Sequence, residues 1–373
     1  MAPSPAQAGE GRGEGISLAP EPSEPAGIVW AAVARKKVYI AYTGGTIGME
    51  KTPEGYRPRR GFLAEQMAEM PELRDPEMPA CRLHEYEPLL DSSNMTPAEW
   101  LRIASDVAGH HDAYDGFIVL HGTDTMAYTA SALPFMLQGL GKPVVVTGSQ
   151  IPLAAVRNDA RENLITALQI ASRFAIPEVC LYFGGKLLRG CRAVKVDADG
   201  LEAFASPNFP PLGEAGVEFK VNWDLVRPPP PAGVALRVQA LTEARVGVLR
   251  LFPGISASVV ANVLRPPLHG LVLETFGAGN APDRDPELLA AIAEATARGV
   301  VVVATTQCLS GTARLGQYAT GAALAKAGVI SGYDLTPEAA LAKLFYLFSI
   351  GLSPAEVRLE MPRDYHGEIT VPG

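Results

Sequence analysis

Val38-Tyr39-Ile40-Ala41-Tyr42-Thr43-Gly44-Gly45-Thr46-Ile47-Gly48-Met49 opens as a β-branched and aromatic run and breaks at two adjacent glycines. The run reads as a buried strand, and the glycines allow the sharp backbone turn that ends it. Thr46 is thereby placed at the carboxyl end of a strand, the edge of an open α/β sheet where ligands bind. The same residues are also compatible with a tight turn that has no further role.

Further along, Leu120-His121-Gly122-Thr123-Asp124-Thr125 repeats the design. A glycine-containing turn follows the apolar run Phe117 to Leu120 and presents Thr123 and Asp124, which either cap the next helix or face a ligand. Asp91-Ser92-Ser93-Asn94-Met95 is a third polar loop, read as a helix lead-in when taken alone. Lys195 stands isolated in Arg192-Ala193-Val194-Lys195-Val196, and isolated lysines are usually solvated. Tyr56 lies in a glycine- and proline-bearing loop soon after Thr46, where most tyrosines pack by the ring and keep a wet hydroxyl.

Continuously apolar runs recur at Val38–Tyr42, Gly116–Leu120, Pro143–Thr147, Val179–Phe183, Val246–Leu251, Gly270–Thr275 and Val300–Thr305. Such runs are expected of parallel strands covered on both faces. Between them, Thr96-Pro97-Ala98-Glu99 and Ser353-Pro354-Ala355-Glu356 are capping boxes with proline at the first helical position, and Thr336-Pro337-Glu338 opens an apolar helix. Alternating strands and helices predict an α/β fold. The prolines Pro228 to Pro231 interrupt it. The expected division is a disordered tail over residues 1–35, a larger N-terminal domain with a parallel or mixed sheet flanked by helices over 36–221, a linker over 222–244, and a smaller C-terminal α/β domain over 245–373. Within the linker, Val234 to Leu241 could form an extended segment.

Composition narrows the function classes. A net charge of -8 with 19% charged residues describes a mildly acidic globular chain without the basic surface needed for nucleic acid or anionic membranes. Four cysteines without CxxC spacing read as reduced thiols in a cytoplasm. No apolar run approaches the ~18–20 residues that span a membrane. The serine nucleophile elbow, the HExxH zinc motif and the phosphate-binding loop are all missing, and the six histidines show no metal-ligand spacing. Threonine, tyrosine, aspartate and lysine remain as the chemical groups.

Thr43-Gly44-Gly45-Thr46-Ile47-Gly48 together with His121-Gly122-Thr123-Asp124-Thr125-Met126 resembles the paired signatures of the bacterial-type L-asparaginase family. Asp91-Ser92-Ser93-Asn94-Met95-Thr96-Pro97, Thr147-Gly148-Ser149-Gln150-Ile151-Pro152 and Ala203-Phe204-Ala205-Ser206-Pro207-Asn208 extend the likeness and point to its type I, cytosolic branch. The resemblance runs from about Lys37 to the C-terminus. It implies an amidohydrolase acting on L-asparagine without metal or organic cofactor, in which Thr46 is the nucleophile, Tyr56 sits on a lid formed by Met49 to Arg59, and Thr123, Asp124 and Lys195 form an activating group. Asp124 is then expected to hold the substrate's ammonium, and Asp91, Ser92 and Ser93 its backbone end, with the two serines facing its carboxylate. A homodimer or homotetramer is implied by the same analogy, with Asn280 near the subunit junction. Some relatives carry a regulatory asparagine site with an arginine where this chain has Glu274; Thr306 and Gln307 are kept, but an acidic side chain repels a carboxylate, so regulation of that kind is not expected. Two rival functions share part of this set: the ammonia-releasing subunit of a tRNA-dependent amidotransferase, and a non-catalytic asparagine sensor that would need the binding loops but no nucleophile.

Overall fold

A computed structural model describes residues 35–241, 244–316 and 319–370. The tail through residue 34 lies outside the described residues, as do residues 242 and 243 of the linker segment. The chain begins with strand β1 (Lys37–Gly44), the hairpin β2 (Met49–Thr52) and β3 (Gly55–Pro58), helix α1 (Phe62–Glu69) and strand β4 (Ala80–Leu90). There follow α2 (Pro97–His110), β5 (Gly116–Leu120), α3 (Met126–Met136), β6 (Leu137–Gln138), β7 (Val144–Thr147), α4 (Ala160–Arg173), β8 (Val179–Phe183) and β9 (Lys186–Arg189). Short strands β10 (Val194–Lys195), β11 (Phe204–Ala205), β12 (Gly213–Glu214), β13 (Lys220–Val221) and β14 (Arg237–Val238) lead to a second sheet. This contains β15 (Val246–Arg250), β16 (Gly270–Thr275), β17 (Val301–Thr306) and β18 (Ile330–Ser331), with helices α5 (Ala257–Val263), α6 (Pro286–Ala297), α7 (Ala319–Lys326), α8 (Pro337–Ser349) and α9 (Pro354–Glu360).

The first sheet has eight strands in the order β13-β12-β9-β8-β7-β5-β1-β4. Its five strands from β8 to β4 are parallel, and the three at the other edge are antiparallel. Side chains alternate between two buried layers, as the continuous apolar runs require. Tyr39, Ala41, Phe117, Val119, Val144 and Val146 meet α2 and α3, whereas Val38, Ile40, Tyr42, Ile118, Leu120 and Val145 meet α1 and α4. The second sheet is fully parallel in the order β15-β16-β17-β18 and buries Leu271, Leu273, Val302 and Ala304 beneath α5 and α6.

Two capping boxes form as the sequence predicts: Thr96 and Glu99 start α2, and Ser353 and Glu356 start α9. The segment Val234 to Leu241 does contain a strand, since β14 pairs antiparallel with β6. The stretch expected as a loop around Tyr56 is instead the β2–β3 hairpin, with Lys51 opposite Tyr56 and Gly55 at φ 119° in its turn. Strand β4 lacks a continuous apolar run because it is a largely exposed edge strand in which Arg82, His84, Glu85 and Glu87 interrupt the apolar residues.

The two sheets are fastened close to Lys195. The Arg192 guanidinium, 2% exposed, donates to Gly367 O at 2.6 Å, to Asp334 Oδ2 at 2.7 Å and to Thr370 Oγ1 at 3.1 Å. Asn208 Nδ2 donates to the carbonyls of Gly311 and Asp334, and its Oδ1 accepts from Gly311 N at 2.8 Å. The Ala203 to Asn208 segment thus ties the first sheet's domain to loops of the second.

Candidate active site

Strand β1 lies between β4 and β5, so the chain leaves β1 for a neighbour on one side and later returns to the other. That reversal opens a crevice at the carboxyl ends of the strands. The loops that follow β4, β1, β5 and β7 begin with Asp91–Ser93, Gly45–Thr46, His121–Thr125 and Gly148–Gln150, and they stand side by side along it.

Glycines let these loops touch. Gly45 has φ 96°, a conformation L side chains resist, and a Cβ there would lie 2.6 Å from both the N and Cα of Gly122. A Cβ on Gly122 would overlap the Ser92 hydroxyl, and one on Gly148 the carbonyl of His121. Thr43 Oγ1 donates to Leu120 O at 2.9 Å, and Thr125 Oγ1 donates to Ser92 O at 2.6 Å. Three loops far apart in sequence are therefore held in backbone contact, with Thr46 partly buried one residue beyond the Gly45–Gly122 contact.

Lys195 enters from β10, whose partner is β11. Its ammonium donates to Thr123 Oγ1 and to Asp124 Oδ1, each at 3.0 Å, and Thr123 Oγ1 donates to Gln150 Oε1 at 3.1 Å. The Asp124 side chain is 65% exposed and the lysine 22%, so the carboxylate faces the opening while the ammonium sits behind it. Ser92 is buried against Gly122, and Ser93 is exposed beside it. Asp91 accepts from Ser93 N at 3.0 Å and from Asn94 Nδ2 at 3.4 Å, which shapes the loop that presents both serines. Tyr56, 49% exposed, lies outside this hydrogen-bonded group, on a strand that rests against the turn Thr46–Gly48. Arg59 holds its hairpin through Glu50 at 2.9 Å and Glu65 at 2.5 Å.

Beneath the Gly122 turn runs a buried chain that sequence reading did not pick out. Trp100 Nε1 donates to Thr129 Oγ1 at 3.0 Å, Thr129 donates to His121 Nε2 at 2.8 Å, and His121 Nδ1 donates to Gly122 O at 2.7 Å. Burial pushes the His121 pKa down to about 4, so the ring is neutral and its tautomer follows from the carbonyl it serves. Asp159 and Gln150 were missed as well. The Asp159 carboxylate accepts the backbone N–H groups of Gln150 and Ile151, each at 2.9 Å. The sequence signals for Gln150 are its place three residues after the strand that ends at Thr147 and its presence in the Thr147–Pro152 segment that extends the family likeness, neither of which assigns it a role.

A second crevice of about 140 Å³ adjoins the far side of Lys195, lined by Arg250, Glu274, Thr306, Gln307 and Glu338. Burial, reinforced by the neighbouring Glu274 charge, raises the Glu338 carboxyl to about 7. Glu274 lies 3.6 Å from Arg250. Among the described residues no cluster of three or more His, Cys, Asp or Glu side chains is arranged to hold a metal ion.

Residues 37–227 match the family description "Asparaginase, N-terminal", and residues 245–361 match "Glutaminase/Asparaginase C-terminal domain". The chain is 53% identical over 337 residues to L-asparaginase 1 of Escherichia coli strain K12, covering 90% of this chain and 98% of that protein. It is 45% identical to the 60 kDa lysophospholipase of Mus musculus, over 90% of this chain and 63% of that protein. The crystal structure of L-asparaginase I from Vibrio cholerae superposes with a TM-score of 0.84 at 54% identity, covering 90% of this chain and all of that one.

Proposed function

The chain belongs to the asparaginase family, and on that premise we propose that it hydrolyses the side-chain amide of free L-asparagine to L-aspartate and ammonia, with Thr46 as the nucleophile. The observation that carries the reading is the Thr123–Lys195–Asp124 group, bonded at 3.0 Å on each arm and seated against the turn that bears Thr46. A threonine hydroxyl needs a proton acceptor before it can attack, and a cation beside Thr123 favours the proton-poor state of that neighbouring oxygen.

Thr46 Oγ1 bonds to the amide carbon and gives up its proton. The tetrahedral oxyanion is stabilised by donors around the Gly122–Thr123 turn, the C–N bond breaks, and the nitrogen leaves as ammonia carrying that proton. Water then cleaves the aspartyl ester, its oxygen ending in the new carboxylate and one of its protons returning to Thr46. Asp124, at the opening, binds the substrate's ammonium by a charge-assisted bond, while Ser92, Ser93 and the Asp91 loop receive its carboxylate end. The β2–β3 hairpin brings Tyr56 over Thr46 when it closes.

We further propose a cytoplasmic homodimer or homotetramer with domains over residues 36–221 and 245–373 joined by 222–244. Four free cysteines support the compartment, and no helix among the described residues is long and apolar enough to cross a membrane. Exposed Val248 on the edge strand β15, with exposed Phe252 just after it and Val259 on α5, supports association. Ammonia release from L-asparagine and L-glutamine tests the activity. Wild-type protein is expected to release it from asparagine, and a folded Thr46→Ala variant is expected to release none. Stabilisation by asparagine without any ammonia would replace this reading with that of a sensor.

A further inference from the structure

Thr123 has one proton to give and two lone pairs, so the direction of its O–H decides what it offers to the crevice. Lys195 Nζ occupies one lone pair at 3.0 Å, and Gln150 Oε1 takes the proton at 3.1 Å. One lone pair is left. With its proton and one lone pair so engaged, Thr123 can meet an incoming hydroxyl or water only as an acceptor of its proton; with the O–H released from Gln150, Thr123 could donate instead and would oppose that transfer.

The identity of the Gln150 oxygen is fixed by its other end. Gln150 Nε2 donates to Ala198 O at 2.9 Å and to Gly200 O at 3.3 Å, so a flipped amide would set an oxygen against two carbonyls. These carbonyls belong to the segment that continues from Lys195, and Asp197 Oδ1 fixes that segment by accepting from Asp199 N at 2.8 Å and Gly200 N at 2.9 Å. The backbone of Gln150 is held in turn by the 9%-exposed Asp159, which Asn163 also contacts. Gln150 therefore closes a triangle: it bonds to Thr123 with one atom and, with the other, to the chain that delivers Lys195.

We propose that Gln150 is a positioning residue that commits the Thr123 proton away from the crevice and keeps Thr123 an acceptor toward the reacting groups. The inference rests on the function proposed above. It deepens that reading by assigning a role to a side chain that hydrogen-bonds to Thr123 and to the Lys195 segment.

The test compares wild type, Gln150→Met and Gln150→Glu in steady-state ammonia release from L-asparagine, with thermal denaturation of each. Methionine has similar length but no strong acceptor, whereas a glutamic acid side chain accepts from Thr123 with one oxygen and, once protonated on the other, donates toward the Ala198 and Gly200 carbonyls as the amide does. For Gln150→Met we expect kcat to fall by about ten-fold or more, toward the range seen for loss of proton-transfer groups, with KM changed by less than about two-fold. Gln150→Glu should recover most of that kcat on the acid side of its pH profile, where the carboxyl is protonated. Wild-type kcat in Gln150→Met would overturn the proposal, and so would equal losses in both variants that track their denaturation temperatures. An inactive wild-type protein would instead sink the parent reading, so the two failures are distinguishable.

Discussion

Lys195 donates to a hydroxyl and a carboxylate at the same 3.0 Å distance, and nothing in its immediate sequence announces this. The residues alone single it out as an isolated lysine of the usually solvated kind, and the family resemblance gives it a role. Thr46 and Thr123 were legible because a glycine turn after an apolar run has a distinctive local signature. The roles of Gln150, Asp159 and Thr129 are not legible, because they lie in partners such as Thr123, Gln150 and His121, 27, 9 and 8 residues away. Thr129 offers a direct test. Thr129→Val keeps the shape but leaves Trp100 Nε1 and His121 Nε2 buried without partners, at a cost of about 1–3 kcal/mol for each stranded group. Urea unfolding should show a loss of at least that order together with a lower kcat, since the chain ends on the Gly122 carbonyl. Unchanged stability would mean the buried chain holds nothing in place.

At the scale of elements, apolar strands and capped helices could be read directly. Strand Gly116–Leu120 falls where the five consecutive buried residues put it, and α2 starts at the Thr96 box. Helix α3 was not assigned because it is buried all round and presents no polar face to give a period. The β2–β3 hairpin reads as a loop in sequence because its alternation is weak and its residues are mostly exposed. The Thr96 box also sets where α2 begins, two residues after the loop that presents Ser92 and Ser93. Thr96→Ala removes the side-chain acceptor for Ala98 N and is expected to cost about 1 kcal/mol in chemical denaturation. A rise in KM for asparagine should accompany it; a KM at the wild-type value would separate the helix start from the binding loop.

For the whole molecule, the α/β class and the two sheets follow from the sequence pattern, but which loops meet does not. That depends on strand order: β1 stands between β4 and β5, a long-range pairing that no local signal encodes. Burial of titratable groups also acts at this scale. Burial lowers His121 to about 4 and, with help from the Arg227 charge, His366 to about 3, from an ordinary 6.5. Between about pH 4.5 and 5.5 the unfolded chain binds close to two protons that these native imidazoles refuse, while native Glu338, raised to about 7, keeps most of one proton that the unfolded chain releases. The balance is about one extra proton on the unfolded state. Stability should therefore fall on acidification by about 1.4 kcal/mol per pH unit across that window, read from urea midpoints. A flat or rising profile would contradict the burial of the two histidines.

The measurement that bears most directly on the account is the location of the acyl group. Protein mixed with L-asparagine and quenched in acid within one turnover can be digested and its peptides weighed. The account predicts an aspartyl ester on the peptide containing Thr46, absent from Thr46→Ala. An ester on the Thr123 peptide, or ammonia release with no esterified peptide at any quench time, would contradict it.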